Sequence, residues 1–303
     1  MTAFLLPSLL FACKDKSSAT SLEEPAPVYI QEGAPIAGLA EGPIDVPVGS
    51  PMGGYTARCS YAGVGGSGKV DNRKNAYIEA WAPSVGIQTA SMAEVLWLDN
   101  GDQNFIMINI DAIYSFDGMV KEIEKQIYEA TGEIVENRVV LNASHTHHAP
   151  ANYSDQIHFY LGGDRYNEEI FQRYTKSLVD LSLEAYESRE EVSLGFGVAK
   201  DWDPDDLVYR DRRSDNDDLI LWDDFEGGKY KDPNLWMMKI NRLSDDLPLG
   251  IFFNFGIHGT VLGGDNPLIS VDAPGHLEYT LREQFDHPVV VSHFQGGGGD
   301  ISP

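Results

Sequence analysis

The chain contains little cysteine, few basic side chains and no long hydrophobic run. Its 303 residues include two cysteines, and 22 Lys and Arg stand against 47 Asp and Glu, which gives a formal net charge of −25. Such a surface argues strongly against nucleic acid as a partner and disfavours attachment to anionic lipid headgroups. No stretch approaches the roughly 20 apolar residues of a membrane-spanning helix. A neutral or amphiphilic substrate stays open.

The first forty residues predict an export signal and a tether. Residues 1–13 are a short apolar segment ending in Leu10-Phe-Ala-Cys13. This pattern resembles a bacterial lipoprotein signal, in which the cysteine is lipidated; an ordinary signal peptide with an incidental Cys13 is the alternative. Either one predicts export, to the periplasm or outer membrane through a lipid anchor, or into the medium. Residues 14–40 are rich in Ser, Glu, Pro, Ala and Gly without apolar periodicity, which predicts a flexible tether.

Residues 41–303 carry the alternating periodicities of an α/β domain. Apolar residues at helical spacing predict helices over 117–130, with Gly132 as the stop, over 168–188, and from an Asp272 cap to about 285. Between the helices, runs rich in β-branched and apolar residues predict strands over 94–98, 105–110, 139–141, 192–198, 235–240, 249–255 and 289–294. We expect a mixed β-sheet core flanked by helices.

The stretch Asn142–Pro150 packs three histidines into four positions at the end of a predicted strand. Along an extended backbone, His145 and His147 point the same way and Thr146 points the opposite way. Two imidazoles on one face at the edge of a sheet are a common beginning of a metal site. A pair of solvated loop histidines is the alternative, and the spacing alone does not decide between the two.

Two other predicted strands also end in residues that can do chemistry. His258 follows the apolar strand 249–255 and lies between Gly256 and Gly259, which we interpret as leaving room for a ligand or metal. Ser302 follows four consecutive glycines after the strand 289–294, and we expect these glycines to turn the backbone and offer N–H donors. Because functional groups concentrate where strands end in loops, we expect these residues to converge.

Together these residues resemble the neutral (non-lysosomal) ceramidases, zinc amidohydrolases that cleave N-acylsphingosine into fatty acid and sphingosine. Five motifs occur in the family order. They are Met52-Gly-Gly-Tyr55, Asn109-Ile-Asp111, Ser144-His-Thr-His-His-Ala-Pro150, His258-Gly-Thr260 with Asn266-Pro-Leu-Ile-Ser-Val-Asp272, and Gly299-Asp-Ile-Ser-Pro303. The resemblance implies a ceramidase-like catalytic domain over residues 41–303.

The resemblance also implies roles for individual residues. His145 and His258 become zinc ligands, and His147 orients or polarises the substrate amide. Ser302 becomes the catalytic serine, as nucleophile or as the residue that positions a water. Arg213, in the acidic segment 201–232, corresponds more loosely to an arginine near the family's substrate mouth.

The chain also departs from the family pattern. His148-Ala149 replaces the family's Ser-Gly. The family completes its zinc shell with a Glu and a Tyr farther downstream, so we expect this chain to hold the N-terminal part of the domain and an incomplete shell. Two alternatives to ceramide hydrolysis stay open: cleavage of another amide or ester on the same fold, and a surface lipoprotein that binds lipid or glycan without catalysis.

Overall fold

The computed structural model describes residues 35–60, 73, 75–211 and 231–303. The predicted signal and lipidation site at Cys13, residues 14–34 of the predicted tether, and Arg213 lie outside this range. Within it, no helix is both long and apolar enough to cross a membrane.

Twelve strands and four α-helices make up the described part of the chain. The strands are β1 Ile36–Pro43, β2 Gly86–Ile87, β3 Met92–Asp99, β4 Asn104–Ile110, β5 Val139–Ala143, β6 Glu190–Lys200, β7 Arg210–Asp211, β8 Asn234–Arg242, β9 Pro248–Phe255, β10 Leu268–Ile269, β11 Val290–Gln295 and β12 Ile301–Ser302. The helices are α1 Asp117–Thr131, α2 Ile157–Gly163, α3 Glu168–Glu187 and α4 Asp272–Arg282.

Eight strands form one mixed sheet in the order β11-β9-β8-β6-β1-β3-β4-β5. The pairs β4–β5 and β9–β11 are parallel, and the other neighbours are antiparallel. Two short pairs, β2–β10 and β7–β12, lie outside this sheet. The predicted mixed sheet flanked by helices is confirmed.

The two edge strands of the sheet, β5 and β11, meet in space. The strand β11 contacts β1, β3, β4 and β5, although it pairs only with β9. The Asn142 side chain donates to the Gln295 carbonyl at 3.3 Å and accepts from the Gln295 N–H at 2.9 Å. The sheet therefore folds over itself, and the ends of β5 and β11 are joined.

The described residues form three large apolar cores and one small cluster of Cys59, Ala80 and Trp81. The largest core fills the space between the helices α1 and α3 and the four neighbouring strands β1, β3, β4 and β5. Its helical side chains recur at the spacing that the sequence predicts, as with Met119, Ile123 and Ile127 on α1. A second core lies on the opposite face of these strands, and a third surrounds β9, β11 and the start of α4.

The structure corrects three details of the sequence-based description. The first described strand begins at Ile36, so residues 36–40 belong to a strand and not to the tether. The sequence did not predict α2. The sequence predicts Asp272 as the cap of the last helix, but Asp272 is the first residue of α4 and has a positive φ of 55°. Its carboxylate accepts N–H groups from Val261 and Leu262 of another loop as well as from Ala273 of its own helix.

Candidate metal centre

Three imidazoles from two strand ends converge. His145 and His147 follow β5, and His258 follows β9. The ring centroids are 5.0 Å apart for His145 and His147, 4.6 Å for His145 and His258, and 5.0 Å for His147 and His258. One ligand nitrogen from each ring lies within 4.8 Å of the other two, so the three histidines can hold a metal ion.

The backbone that brings His145 and His147 together is not the extended strand that the sequence predicts. His145 has a left-handed backbone with a φ of 61°, which is uncommon for a residue with a side chain. Thr146 still points away from the rings, because its hydroxyl donates to the Ser270 carbonyl at 2.9 Å. The convergence therefore comes from a turn at His145 and not from strand alternation.

Backbone carbonyls orient two of the three rings. The Nδ1 of His145 lies 2.6 Å from the carbonyl oxygen of Ile113, and the Nδ1 of His258 lies 2.9 Å from that of Gly298. A neutral imidazole that donates from Nδ1 presents its Nε2 lone pair for coordination, and this arrangement is typical of metal-binding histidines. The carbonyl of Gly298 explains one function of the glycine run before Ser302: it supports His258.

His147 is held neutral. Its pKa is lowered to about 3, first by burial and then by the neighbouring His145, His258 and His148 and by Arg58. Its Nε2 lies 3.2 Å from the Nε2 of His258, and its Nδ1 has no hydrogen-bond partner among the described residues. Neutral imidazole is the form that binds a metal. The donor set of three imidazoles suits zinc and other first-row transition metals.

Arg58 and Tyr55 support the site and were not recognised from the sequence as site residues. The Arg58 guanidinium donates to the carbonyls of His147, Gly264 and Asn266 at 2.5, 3.1 and 3.1 Å. Burial lowers the Arg58 pKa to about 10, which leaves the side chain charged at neutral pH. The Tyr55 ring lies edge-on to His147, with centroids 4.9 Å apart. The available signal was the motif Met52-Gly-Gly-Tyr55, which contains Tyr55 and lies three residues before Arg58.

The glycines around His258 do not open space for a ligand, as the sequence suggested. A Cβ on Gly259 would lie 2.7 Å from the His145 carbonyl oxygen, and one on Gly256 would lie 2.9 Å from that of Gly297. Both glycines allow backbone segments to approach each other. Gly54 is the glycine that contacts an imidazole, since its Cβ would lie 2.2 Å from the His147 Nδ1.

Ser302 is half-buried on β12, four residues after the Gly298 that holds His258. The strand β12 pairs antiparallel with β7, and this register places Ser302 opposite Arg210. Residues that are opposed in such a pair project to the same face. The arginine next to Ser302 in the described structure is therefore Arg210.

Comparison with known proteins identifies the family of the chain. The family model described as "Neutral/alkaline non-lysosomal ceramidase, N-terminal" matches residues 76–303. The chain belongs to this family. The matched residues include all three converging histidines and Ser302.

Neutral ceramidases A and B of Dictyostelium discoideum are each 19% identical to this ceramidase-family chain, over 220 and 219 residues. These alignments cover 69% of the chain and 30% of each relative, so the chain spans about a third of their length. The crystal structure of neutral ceramidase from Pseudomonas aeruginosa superposes with a TM-score of 0.73 at 18% identity, covering 90% of this chain and 40% of that one. A ceramidase complexed with C2 superposes with a TM-score of 0.72 at 18% identity, covering 90% of this chain and 39% of that one. These two structures share the fold.

Proposed function

We propose that this chain forms the metal-binding part of an amide hydrolase that cleaves the N-acyl bond of ceramide or a related N-acyl lipid. The convergence of His145, His147 and His258 within a chain of the ceramidase family carries the proposal. A histidine pair oriented by the carbonyls of Ile113 and Gly298 supports a resident metal over solvated loop histidines.

Zinc is the proposed ion. His145 and His258 hold it, and His147 lies close enough either to add a third nitrogen or to contact the substrate amide. When bound, zinc supplies a Lewis acid for the amide carbonyl and lowers the pKa of bound water. Burial lowers the pKa of His147 to about 3, so its ring is neutral at physiological pH and offers one lone pair and one N–H.

Ser302 is the proposed catalytic serine, as nucleophile towards the scissile carbon or as the residue that positions water. Its position after the Gly298 that supports His258 favours a role beside the metal. Arg213 is proposed to steady the oxyanion that develops on the carbonyl, because an arginine can donate two parallel hydrogen bonds.

Turnover of a fluorescent ceramide tests the proposal. We expect cleavage that is lost on chelation, restored by Zn²⁺, and abolished in His145→Ala. His276→Ala, which removes an exposed histidine on α4, is the control and should retain activity. Cleavage that persists unchanged after chelation and in His145→Ala would overturn the proposed metal-dependent hydrolysis.

A second candidate is hydrolysis of another amide or ester on the same fold. It is favoured by His148, a fully buried imidazole where the family pattern has a serine. A panel of short-chain N-acyl amino acids, acetylated glycans and ceramide separates the two functions. Rapid cleavage of the short substrates with none of ceramide would favour this second candidate.

We also propose that the protein is exported as a lipoprotein through Cys13, on the evidence of the N-terminal sequence. Metabolic labelling with palmitate should label the wild-type protein and not Cys13→Ser. Equal labelling of both proteins would contradict the assignment of Cys13 as the lipidated residue.

A further inference from the structure

His148 contributes no nitrogen to the cluster of His145, His147 and His258, yet its side chain is completely buried. Its Nε2 lies 3.1 Å from the carbonyl oxygen of Gly263. Its Nδ1 lies 3.4 Å from the Oδ2 of Asp272, which is within ion-pair distance but without hydrogen-bond geometry. Burial of a polar ring is costly unless polar partners surround it. The ring therefore bridges two chain segments, one on each side.

Asp272 connects this bridge to the loop Thr260–Asn266, which follows His258. The carboxylate is buried and accepts the N–H groups of Val261 at 3.1 Å and Leu262 at 3.2 Å. The positive φ of 55° at Asp272 is sparsely populated for a residue with a side chain, and it persists where surrounding contacts determine it. Asp272 thus holds the beginning of the loop, while the His148 ring contacts its middle at Gly263.

Backbone contacts join the same two segments next to the metal cluster. The His147 N–H donates to the Gly259 carbonyl at 3.2 Å, and the Ser270 N–H donates to the His148 carbonyl at 2.9 Å. Gly259 directly follows His258. The position of His258 relative to His147 is therefore coupled to how tightly the loop 260–266 is fixed against residues 146–148.

We propose that His148 is a positioning residue: its ring fixes the loop 260–266 against the histidine stretch and so sets the separation of His147 and His258. The inference rests on the proposed metal centre and adds a residue that the family motif does not supply. A serine at this position is too short to reach both Gly263 and Asp272. His148 acts through the ligands and does not itself bind the metal.

Substitutions that restore one side of the bridge at a time test this role. His148→Ser removes both contacts. His148→Asn places an amide nitrogen near the Nδ1 position, towards Asp272, and His148→Gln places one near the Nε2 position, towards Gly263. His276→Ser, on an exposed part of α4, makes the same change as His148→Ser away from the site.

Three measurements on the 303-residue chain report on positioning. Hydrogen exchange of the Val261 and Leu262 amides reports on the loop, competition with a chelator reports Zn²⁺ affinity, and visible absorption of the Co²⁺-loaded protein reports ligand geometry. In His148→Ser we expect exchange to accelerate and Zn²⁺ affinity to fall about tenfold or more, as for other residues that orient ligands. The Co²⁺ spectrum should shift. His148→Gln should recover more than His148→Asn, because the contact to Gly263 is the shorter one.

The outcomes separate this inference from the proposed metal centre. If wild type binds neither Zn²⁺ nor Co²⁺, the metal centre fails, and exchange at Val261 and Leu262 decides whether His148 fixes the loop. Unchanged exchange in a folded His148→Ser, or metal affinity and a Co²⁺ spectrum equal to wild type, overturns the positioning role. If His148→Ser does not fold, the test uses His148→Gln and His148→Asn. These two variants must then differ in the hydrogen exchange of the Val261 and Leu262 amides, or the inference is wrong.

Discussion

Two backbone carbonyls and one glycine determine the direction of the imidazoles. Ile113 and Gly298 each accept from an Nδ1, which aims the opposite edge of the ring at the cluster. Gly54 lies against the third ring at His147. At this scale, the chemistry of the site depends on residues that carry no reactive group.

Gly54→Ala is predicted to displace His147. The residue has a φ of +85°, and a Cβ would lie 2.2 Å from the His147 Nδ1. Gly101→Ala is a matched control, because Gly101 has a φ of +87° with nothing within 4 Å of a Cβ. Both variants should lose about 1 kcal/mol of stability from backbone strain. Gly54→Ala alone should also weaken Zn²⁺ binding, measured by chelator competition, and equal Zn²⁺ affinity in the two variants would contradict the predicted displacement.

At the scale of elements, the site exists because β5 and β11 end beside each other. Asn142 makes two hydrogen bonds with the Gln295 backbone and joins strands at opposite edges of the sheet. His145 follows the first strand, and the loop that supports His258 follows the second. Loss of this junction should separate the halves of the site.

Asn142→Ala should lower the free energy of unfolding by about 1–3 kcal/mol, since it leaves backbone groups of Gln295 without partners. Asn75→Ala is the control: Asn75 also donates to one backbone carbonyl, at Gly49, and accepts from one N–H, at Tyr77, but it is exposed. Its loss should cost about 0.5 kcal/mol or less. Urea titration measures both values, and equal losses would show that Asn142 does not stabilise the strand junction.

Most long elements were predictable because their apolar periodicity is strong, as in α1 and α3. The strand β1 was not, because its small residues resemble those of a tether. The structure gives the reason: a Cβ on Gly38 would lie 1.7 Å from the Ala185 carbonyl oxygen, and one on Gly42 would lie 2.9 Å from Leu181. The close approach of α3 requires small residues, and a single sequence does not reveal a neighbouring helix.

The candidate site was predictable in part for a similar reason. His145, His147 and His258 stand at strand ends, where patterning indicates function. The supports at Arg58, and at His148 with Asp272, depend on contacts between distant positions, so local sequence carries little sign of them.

At the scale of the whole molecule, the acidic composition extends into the interior. Arg282 on α4 is surrounded by carboxylates, with contacts of 2.8 Å to Glu41, 2.7 Å to Glu94 and 3.8 Å to Glu278. Burial raises the pKa of Glu94 to about 8 and that of Asp111 to about 7. Burial, with Glu94 and Asp111 nearby, raises the pKa of Glu278 well above its usual range. One guanidinium therefore faces more carboxyls than it can neutralise.

The stability that these buried carboxyls contribute is predicted to fall as the pH rises from about 5 to about 9. A carboxyl whose pKa is raised by folding contributes stability below its unfolded pKa, and this contribution is lost as the pH rises through the folded pKa. Glu278→Gln keeps an oxygen for the N–H of His293 and the amide of Asn109 and cannot ionise. It should make the decline shallower by up to about 1.4 kcal/mol per pH unit.

Urea titrations at several pH values measure this slope. Glu283→Gln, at an exposed position just after α4, is the control and should leave the slope unchanged. A Glu278→Gln slope equal to that of wild type would show that Glu278 does not retain a proton in the folded protein.

The central claim is that the strand ends of one folded-over sheet build a metal centre from His145, His147 and His258. The most direct measurement is the zinc content of the purified chain after dialysis against a weak chelator, for wild type and His258→Ala. We predict about one zinc per chain in wild type and little in His258→Ala. No zinc in wild type, or full retention in His258→Ala, would contradict the claim.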